Sequence, residues 1–260
     1  MPEPASHAPM DFSHLTSQQW LLAGLAALMV GLAKSGFSGV GMLILVLMAN
    51  AMPGYEREST GVVLPLLICG DLFAAQAFRQ HVRWPVLGRM LLPAGIGVCV
   101  GYFWLRGLSN TGFKPLIGWI VLFLTGLHLL RQAKPEKFQS VPHSPWFVWT
   151  MGIGAGITTM LANAAGPIVT LFFLAVALPK LEFVATGALF FLVVNLFKVP
   201  FSMNLGFITL HSLAFNAVLT PLVAAGIYGG RFLVHRMDQR LFERVLLILT
   251  ALTAFHLIFA

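Results

Sequence analysis

The sequence predicts an all-α polytopic membrane protein built from two inverted repeats, each a broken or re-entrant hairpin segment followed by three transmembrane helices. Composition is the first ground. Of 260 residues, 58% are hydrophobic and only 10% charged, well under half the charge of a typical soluble domain; the mean hydropathy is +0.84. The second ground is a series of apolar segments long enough to cross a bilayer, and the third a set of ordered matches between the two halves. A soluble domain, a collagen, a coiled coil, a disordered tail and a disulfide scaffold are all excluded. The net charge of +7 comes from Lys and Arg placed mostly at the ends of apolar runs. That pattern orients a protein in a membrane and does not make a nucleic-acid surface. Cys69 and Cys99 lie inside apolar segments and read as packing residues.

Residues 1–19 form a polar N-terminal tail without the Lys or Arg of a signal-peptide n-region. Apolar segments then fall at about 20–50, 59–79, 86–106, 113–131, 146–178, 183–203, 212–234 and 241–260. The first and fifth are long and interrupted, at Ala33-Lys34-Ser35-Gly36 and at Ala162-Asn163-Ala164-Ala165-Gly166-Pro167. Each interruption leaves two pieces of about 14 residues, about 21 Å apiece, too short for a hydrocarbon core of about 30 Å. Repeat 1 therefore occupies 20–131 and repeat 2 occupies 146–260, joined by a cytoplasmic linker at 132–145 that carries Lys134, Pro135, Glu136 and Lys137. Gly24, Pro93, Gly101 and His128 match Gly152, Pro221, Gly229 and His256 at an offset of 128, and Thr60-Gly61 matches Thr186-Gly187 at 126.

Charge counting selects hairpins. If the broken segments crossed the membrane, Lys and Arg would divide six to eight between its faces, which orients nothing. With hairpins, eleven share one face (Arg79, Arg83, Arg89, Arg131, Lys134, Lys137, Lys180, Arg231, Arg236, Arg240 and Arg244) and only Arg57, Arg106 and Lys114 the other. Positive residues collect on the cytoplasmic side. A hairpin plus three spans is an odd number of crossings, so the repeats are inverted and both termini lie outside.

Inverted hairpins bring two tips toward the midplane, and each tip starts a half-helix whose free N–H groups and positive dipole end attract an anion. The expected substrate-binding residues are Lys34, Ser35, Gly36 and Ser38 at the first tip and Asn163, Ala165 and Gly166 at the second. Lys34 carries the most weight, because a lysine in a membrane costs roughly 3 kcal/mol on insertion scales and marks a functional site. Asp71, the only acid inside a span, lies about 18 Å along its helix from Ser59; Lys198 is one position beyond its repeat equivalent. These two are the expected coupling residues. Asp71 reads either as a proton carrier or as half of a fixed ion pair with a lysine. Asn195, Gln76 and Asn216 read as interhelical hydrogen-bond partners, and Trp20, Trp84, Trp104, Trp146 and Trp149 as interfacial anchors. Gly36-Phe37-Ser38-Gly39 has the form found in intramembrane serine proteases, but no His stands at mid-depth to activate the Ser. No catalytic residue, cofactor or metal is expected.

The runs GLAALMVGLAKSGFSGVGMLILVLMA, TTMLANAAGPIVTLFFLAVALPKLEFVATGALFFLVVNLFKVPF and GIYGGRFLVHRMDQRLFERVLLILT resemble the TauE/SafE sulfite exporter family, also called TSUP, with the likeness extending from Trp20 to Phe259. The resemblance implies a bacterial cytoplasmic (inner) membrane transporter of a small inorganic or organic sulfur anion, such as sulfite, thiosulfate or an organosulfonate. Together with the residues above, it leads to a secondary transporter working by alternating access with proton coupling, or sodium coupling in its place. A passive anion channel or a carboxylate transporter is the alternative. The lipid bilayer and the anion are the expected partners, nucleic acid is not, and an oligomer is compatible with the reading.

Overall fold

The computed structural model describes residues 12, 15–34, 40–108, 110–133, 144–234, 248, 252 and 255. Among them the chain forms α1 (Ser17–Lys34), α2 (Val40–Ala51), α3 (Glu56–Phe78), α4 (Trp84–Arg106), α5 (Asn110–Ala133), α6 (Pro145–Ala162), α7 (Gly166–Ala175), α8 (Lys180–Asn204) and α9 (Leu210–Val234), with a 3-10 turn at Arg79–His81 after α3. Four helices are long and apolar enough to cross a membrane, through Glu56–Gln76, Trp84–Arg106, Leu181–Asn204 and Leu210–Gly230. The architecture is that of an all-helical polytopic membrane protein. The last expected span, 241–260, lies outside the described residues apart from Ile248, Leu252 and Phe255.

Helix boundaries follow local chemistry. α1 begins three residues inside the expected polar tail because Thr16 and Gln19 cap it reciprocally: the Thr16 N–H donates to Gln19 Oε1 (2.7 Å) and the Gln19 N–H to Thr16 Oγ1 (3.3 Å). The tail is also partly packed, since the Phe12 ring stacks on Phe215 at 4.5 Å. At α6, Ser144 Oγ accepts from the Phe147 N–H and Pro145 occupies the first turn. The helix ends at Asn163, whose φ of 48° is left-handed, with the N–H groups of Asn163 and Ala164 returning to Thr159 and Thr158 carbonyls.

Both broken segments divide unevenly, not into equal pieces. They give helices of 18 and 12 residues in the first case and 18 and 10 in the second, so α1 and α6 are about 27 Å long and α2 and α7 about 18 and 15 Å. In the second, the turn at Asn163 lies near the middle, and the later piece is shortened because α7 ends at Ala175, two residues before left-handed Ala177 (φ 52°). α1 and α2 pack side by side through Leu32, Val40 and Leu43, with Leu28, Met29, Ala33 and Leu47 around them.

The closest helix pairs are α4 with α6 and α1 with α9. Small residues make both possible, as is usual where helices meet in lipid. A Cβ on Gly97 or Gly156 would run into the α6 or α4 backbone facing it, and one on Gly31 or Gly226 into that of α9 or α1. Gly152 lies against Pro93, while Gly24 lies against Leu222, the neighbour of Pro221. Trp84, Trp104, Trp146 and Trp149 are exposed, as anchors would be; Trp20 instead leans on Phe215, with ring centroids 5.0 Å apart. The His128 side chain and His256 lie outside what is described.

Candidate functional site

A cavity of about 230 Å³ lies between the end of α1 and the turn that joins α6 to α7. Its walls include Ala33 and Lys34 from α1, Met42 and Leu45 from α2, Thr159 and Asn163 at the end of α6, Gly166 and Pro167 at the start of α7, and Phe191 and Asn195 from α8. Both breaks therefore face one space.

Lys34 is the last residue of α1, where an ammonium meets the negative end of the helix dipole. Its Nζ forms an ion pair with Asp71 Oδ1 and stands 5.3 Å from the centre of the Phe191 ring. Asp71, on α3, is fully buried, and its Oδ2 accepts from Asn195 Nδ2 at 2.7 Å. Lys198, one turn further along α8, is 2% exposed. Its Nζ donates to Thr159 Oγ1 (3.2 Å), to Asn195 Oδ1 (3.4 Å) and to Asn163 Oδ1. Asn163 completes the chain by donating from Nδ2 to the Thr60 carbonyl at 2.8 Å. One polar network thus ties α1, α3, α6 and α8 together beside the cavity.

Two properties follow. The network holds two lysines for one carboxylate, so basic groups outnumber acidic ones beside the cavity in a low-dielectric surround. The first turn of α7 opens onto it as well. A helix N-terminus leaves its first N–H groups without intrahelical partners, and a Cβ added at Gly166 would meet nothing within 4 Å, so a ligand can approach the backbone closely. Phosphate, sulfate and carboxylate groups are commonly held in such surroundings.

Of the residues expected from sequence to bind substrate, Lys34, Asn163 and Gly166 line the cavity. Ala165 is fully buried and is not part of the lining. Ser35, Gly36 and Ser38 lie outside the described residues. Asp71 and Lys198 stand behind the wall; Asp71 is paired with Lys34, and Lys198 is held by three neutral oxygens. The Asn163 amide already serves Thr60 and Lys198, and among the described residues one of its N–H groups has no acceptor. Among the expected interhelical partners, Asn195 bonds across helices, Gln76 is exposed, and buried Asn216 has no side-chain hydrogen bond among the described residues.

Sequence reading did not single out Thr159 or Phe191. A signal existed: Phe191, Asn195 and Lys198 fall at i, i+4 and i+7 on α8, and Thr159 and Asn163 are four apart, so each set shares one helix face. No group of three or more His, Cys, Asp or Glu suited to a metal occurs among the described residues.

No curated protein and no solved structure matches the chain. A family model, sulfite exporter TauE/SafE, matches residues 22–257, and the charged cavity of this membrane protein accordingly belongs to a member of the TauE/SafE sulfite exporter family.

Proposed function

We infer that the protein is a secondary transporter that moves a small sulfur-containing anion (sulfite, thiosulfate or an organosulfonate) across the bacterial cytoplasmic membrane by alternating access. The observation that carries this is the cavity between the two chain breaks, where Lys34, backed by Lys198, outnumbers the single carboxylate of Asp71. An anion entering the cavity competes with Asp71 for Lys34. Once it draws the lysine away, the buried carboxylate is short of a counter-charge, and a proton taken up with the anion restores neutrality. This couples the anion to protons at Asp71, with Lys198 holding the far side of the network.

Counterflow in proteoliposomes tests the reading. Vesicles preloaded with thiosulfate are expected to concentrate labelled sulfite or an organosulfonate transiently, with carboxylates competing poorly. Leakage without counterflow would make the protein a channel, and preference for carboxylates would remove the substrate class.

We propose the inverted-repeat arrangement with broken segments as hairpins and both termini outside; the hairpin form of the second broken segment is supported by which loops meet. Arg57 Nη1 donates to the Leu108 carbonyl at 2.5 Å and its guanidinium lies 5.2 Å from the Phe207 ring centre. The loop before α3, the α4–α5 loop and the α8–α9 loop therefore share one end of the molecule. At another end, the Arg83 N–H donates to Thr186 Oγ1 (3.0 Å) and its side chain reaches Glu182 (3.4 Å), joining the α3–α4 connection to the start of α8. If the α6–α7 segment crossed the membrane, Phe207 would fall on the face opposite Arg57, and the start of α8 on the face opposite Arg83. The reciprocal packing of α1 on α9 and α4 on α6 is what a two-fold relation between repeats would produce.

Cysteines introduced in the 106–114 and 203–211 loops are accordingly expected to react together with an impermeant maleimide from outside, with sites near Lys134 and Arg236 protected. Labelling of the two loops from opposite sides would sink the inverted arrangement.

A further inference from the structure

Thr159 occupies the last turn of α6, one turn before Asn163, and is 2% exposed while forming part of the cavity wall. What distinguishes it is where its hydroxyl proton can go. A helical threonine commonly spends that proton on a carbonyl one turn back. Thr150, Thr158, Thr170 and Thr220 do so here, donating to the carbonyls of Trp146, Gly154, Gly166 and Asn216 at 2.8 Å each. Thr159 does not. Its Oγ1 accepts from Lys198 Nζ at 3.2 Å and donates to no described residue. A charged Lys198 has three donors and no acceptor, so in that state the proton of Thr159 cannot go to it.

Resting on the anion-transport reading, we propose that Thr159 is a substrate-contacting and specificity-determining residue: its hydroxyl, oriented by Lys198, donates to an anion held opposite Lys34. The lysine takes up one of the two lone pairs of the hydroxyl, and the proton is left for a ligand in the cavity. Lys198 thereby acts on a ligand that it does not touch. A donor fixed in this way favours an oxygen that only accepts, as in a deprotonated sulfonate, sulfite or thiosulfate, over a hydroxyl or a protonated acid. Thr170, on the same cavity, has its proton committed to Gly166 and offers lone pairs only. The two threonines are therefore not equivalent toward an anion.

The experiment is titration of purified protein with thiosulfate, alongside Lys34→Met as the reference for the anion site. Thr159→Val keeps the shape and removes the hydroxyl; it is expected to weaken thiosulfate binding by roughly ten- to a hundredfold, the range of a hydrogen bond to a charged group. Thr159→Ser restores the donor and is expected to bind within about threefold of the parent protein. Thr158→Val, altering a neighbour bonded to Gly154 and outside the cavity wall, is expected to match the parent. In a Lys198→Met background the Val change is expected to add less than in the parent, because the hydroxyl has lost its orientation; full additivity would overturn the coupling. Should the Val protein fail to fold, Thr159→Ala carries the same comparison. Parent-like binding in Val or Ala, with Lys34→Met inactive, overturns the role of Thr159 and leaves the transport reading standing. No binding of thiosulfate, sulfite or an organosulfonate by the parent protein removes the transport reading first.

Discussion

Replacing Lys34 by Met is expected to abolish anion binding, with a loss beyond a hundredfold, while the protein still inserts. The cavity wall has no other ammonium among the described residues, since Lys198 is turned away toward Thr159, Asn163 and Asn195. Insertion and folding respond in opposite directions. The translocon meets α1 before α3 has packed against it, and a methionine there partitions more readily than a lysine. In the folded protein the same change leaves Asp71 with Asn195 as its hydrogen-bond donor, and removing one partner of a buried ion pair destabilises by about 3–5 kcal/mol. The measurement is thiosulfate titration on detergent-purified protein, with membrane yield and thermal stability recorded separately. Lys34→Arg is expected to bind weakly, because a planar fork does not substitute for a compact ammonium between Asp71 and the Phe191 ring. Parent-like affinity in the Met protein would return Lys34 to a structural role and take the anion site with it.

Asp71→Asn is expected to separate exchange from coupling. Asparagine resembles the carboxyl group after it has taken a proton, so the variant is fixed in the state that the anion otherwise has to create. Sulfite or thiosulfate exchange across vesicles, which needs no net proton movement, is expected to persist, and accumulation driven by a pH gradient to disappear. The empty protein should also be less stable by about 3–5 kcal/mol, because Lys34 and Lys198 are left without the carboxylate between them. A saturating anion should recover much of that loss by binding only the folded state. Thermal unfolding with and without thiosulfate reads this, and the anion-induced shift should be larger in the variant than in the parent. Accumulation driven by the pH gradient at the parent rate would remove Asp71 from coupling and place the coupling proton on another group.

The sequence by itself determined the apolar segments, both interruptions and the charges Lys34, Asp71 and Lys198, but not the burial of Glu56 and Glu58 at the start of α3. Hydropathy over some twenty residues is a local property, so the ends of α3, α4, α5, α8 and α9 lie within a few residues of the segments read from sequence. The interruption before Pro167 is equally local, since a small-residue run ahead of a proline favours the start of a helix. Lys34, Asp71 and Lys198 were legible because a charge within an apolar run is costly wherever that run packs.

Only the tertiary structure decided what those charges do. Asn195 and Asp71 are 124 positions apart, and Lys198 and Thr159 are 39 apart; whether they meet depends on the rotation and separation of packed helices, which no window of sequence contains. Close approach at Gly31, Gly97, Gly156 and Gly226 fixes part of that geometry by allowing α1 onto α9 and α4 onto α6. The result gives Asp71 to Lys34 instead of Lys198, uses most of the Asn163 amide inside the protein, and leaves the hydroxyl proton of Thr159 without an acceptor carbonyl among the described residues. Hydrogen-bond donors are satisfied or left free by neighbours in space, and in this chain the neighbours that matter come from different helices.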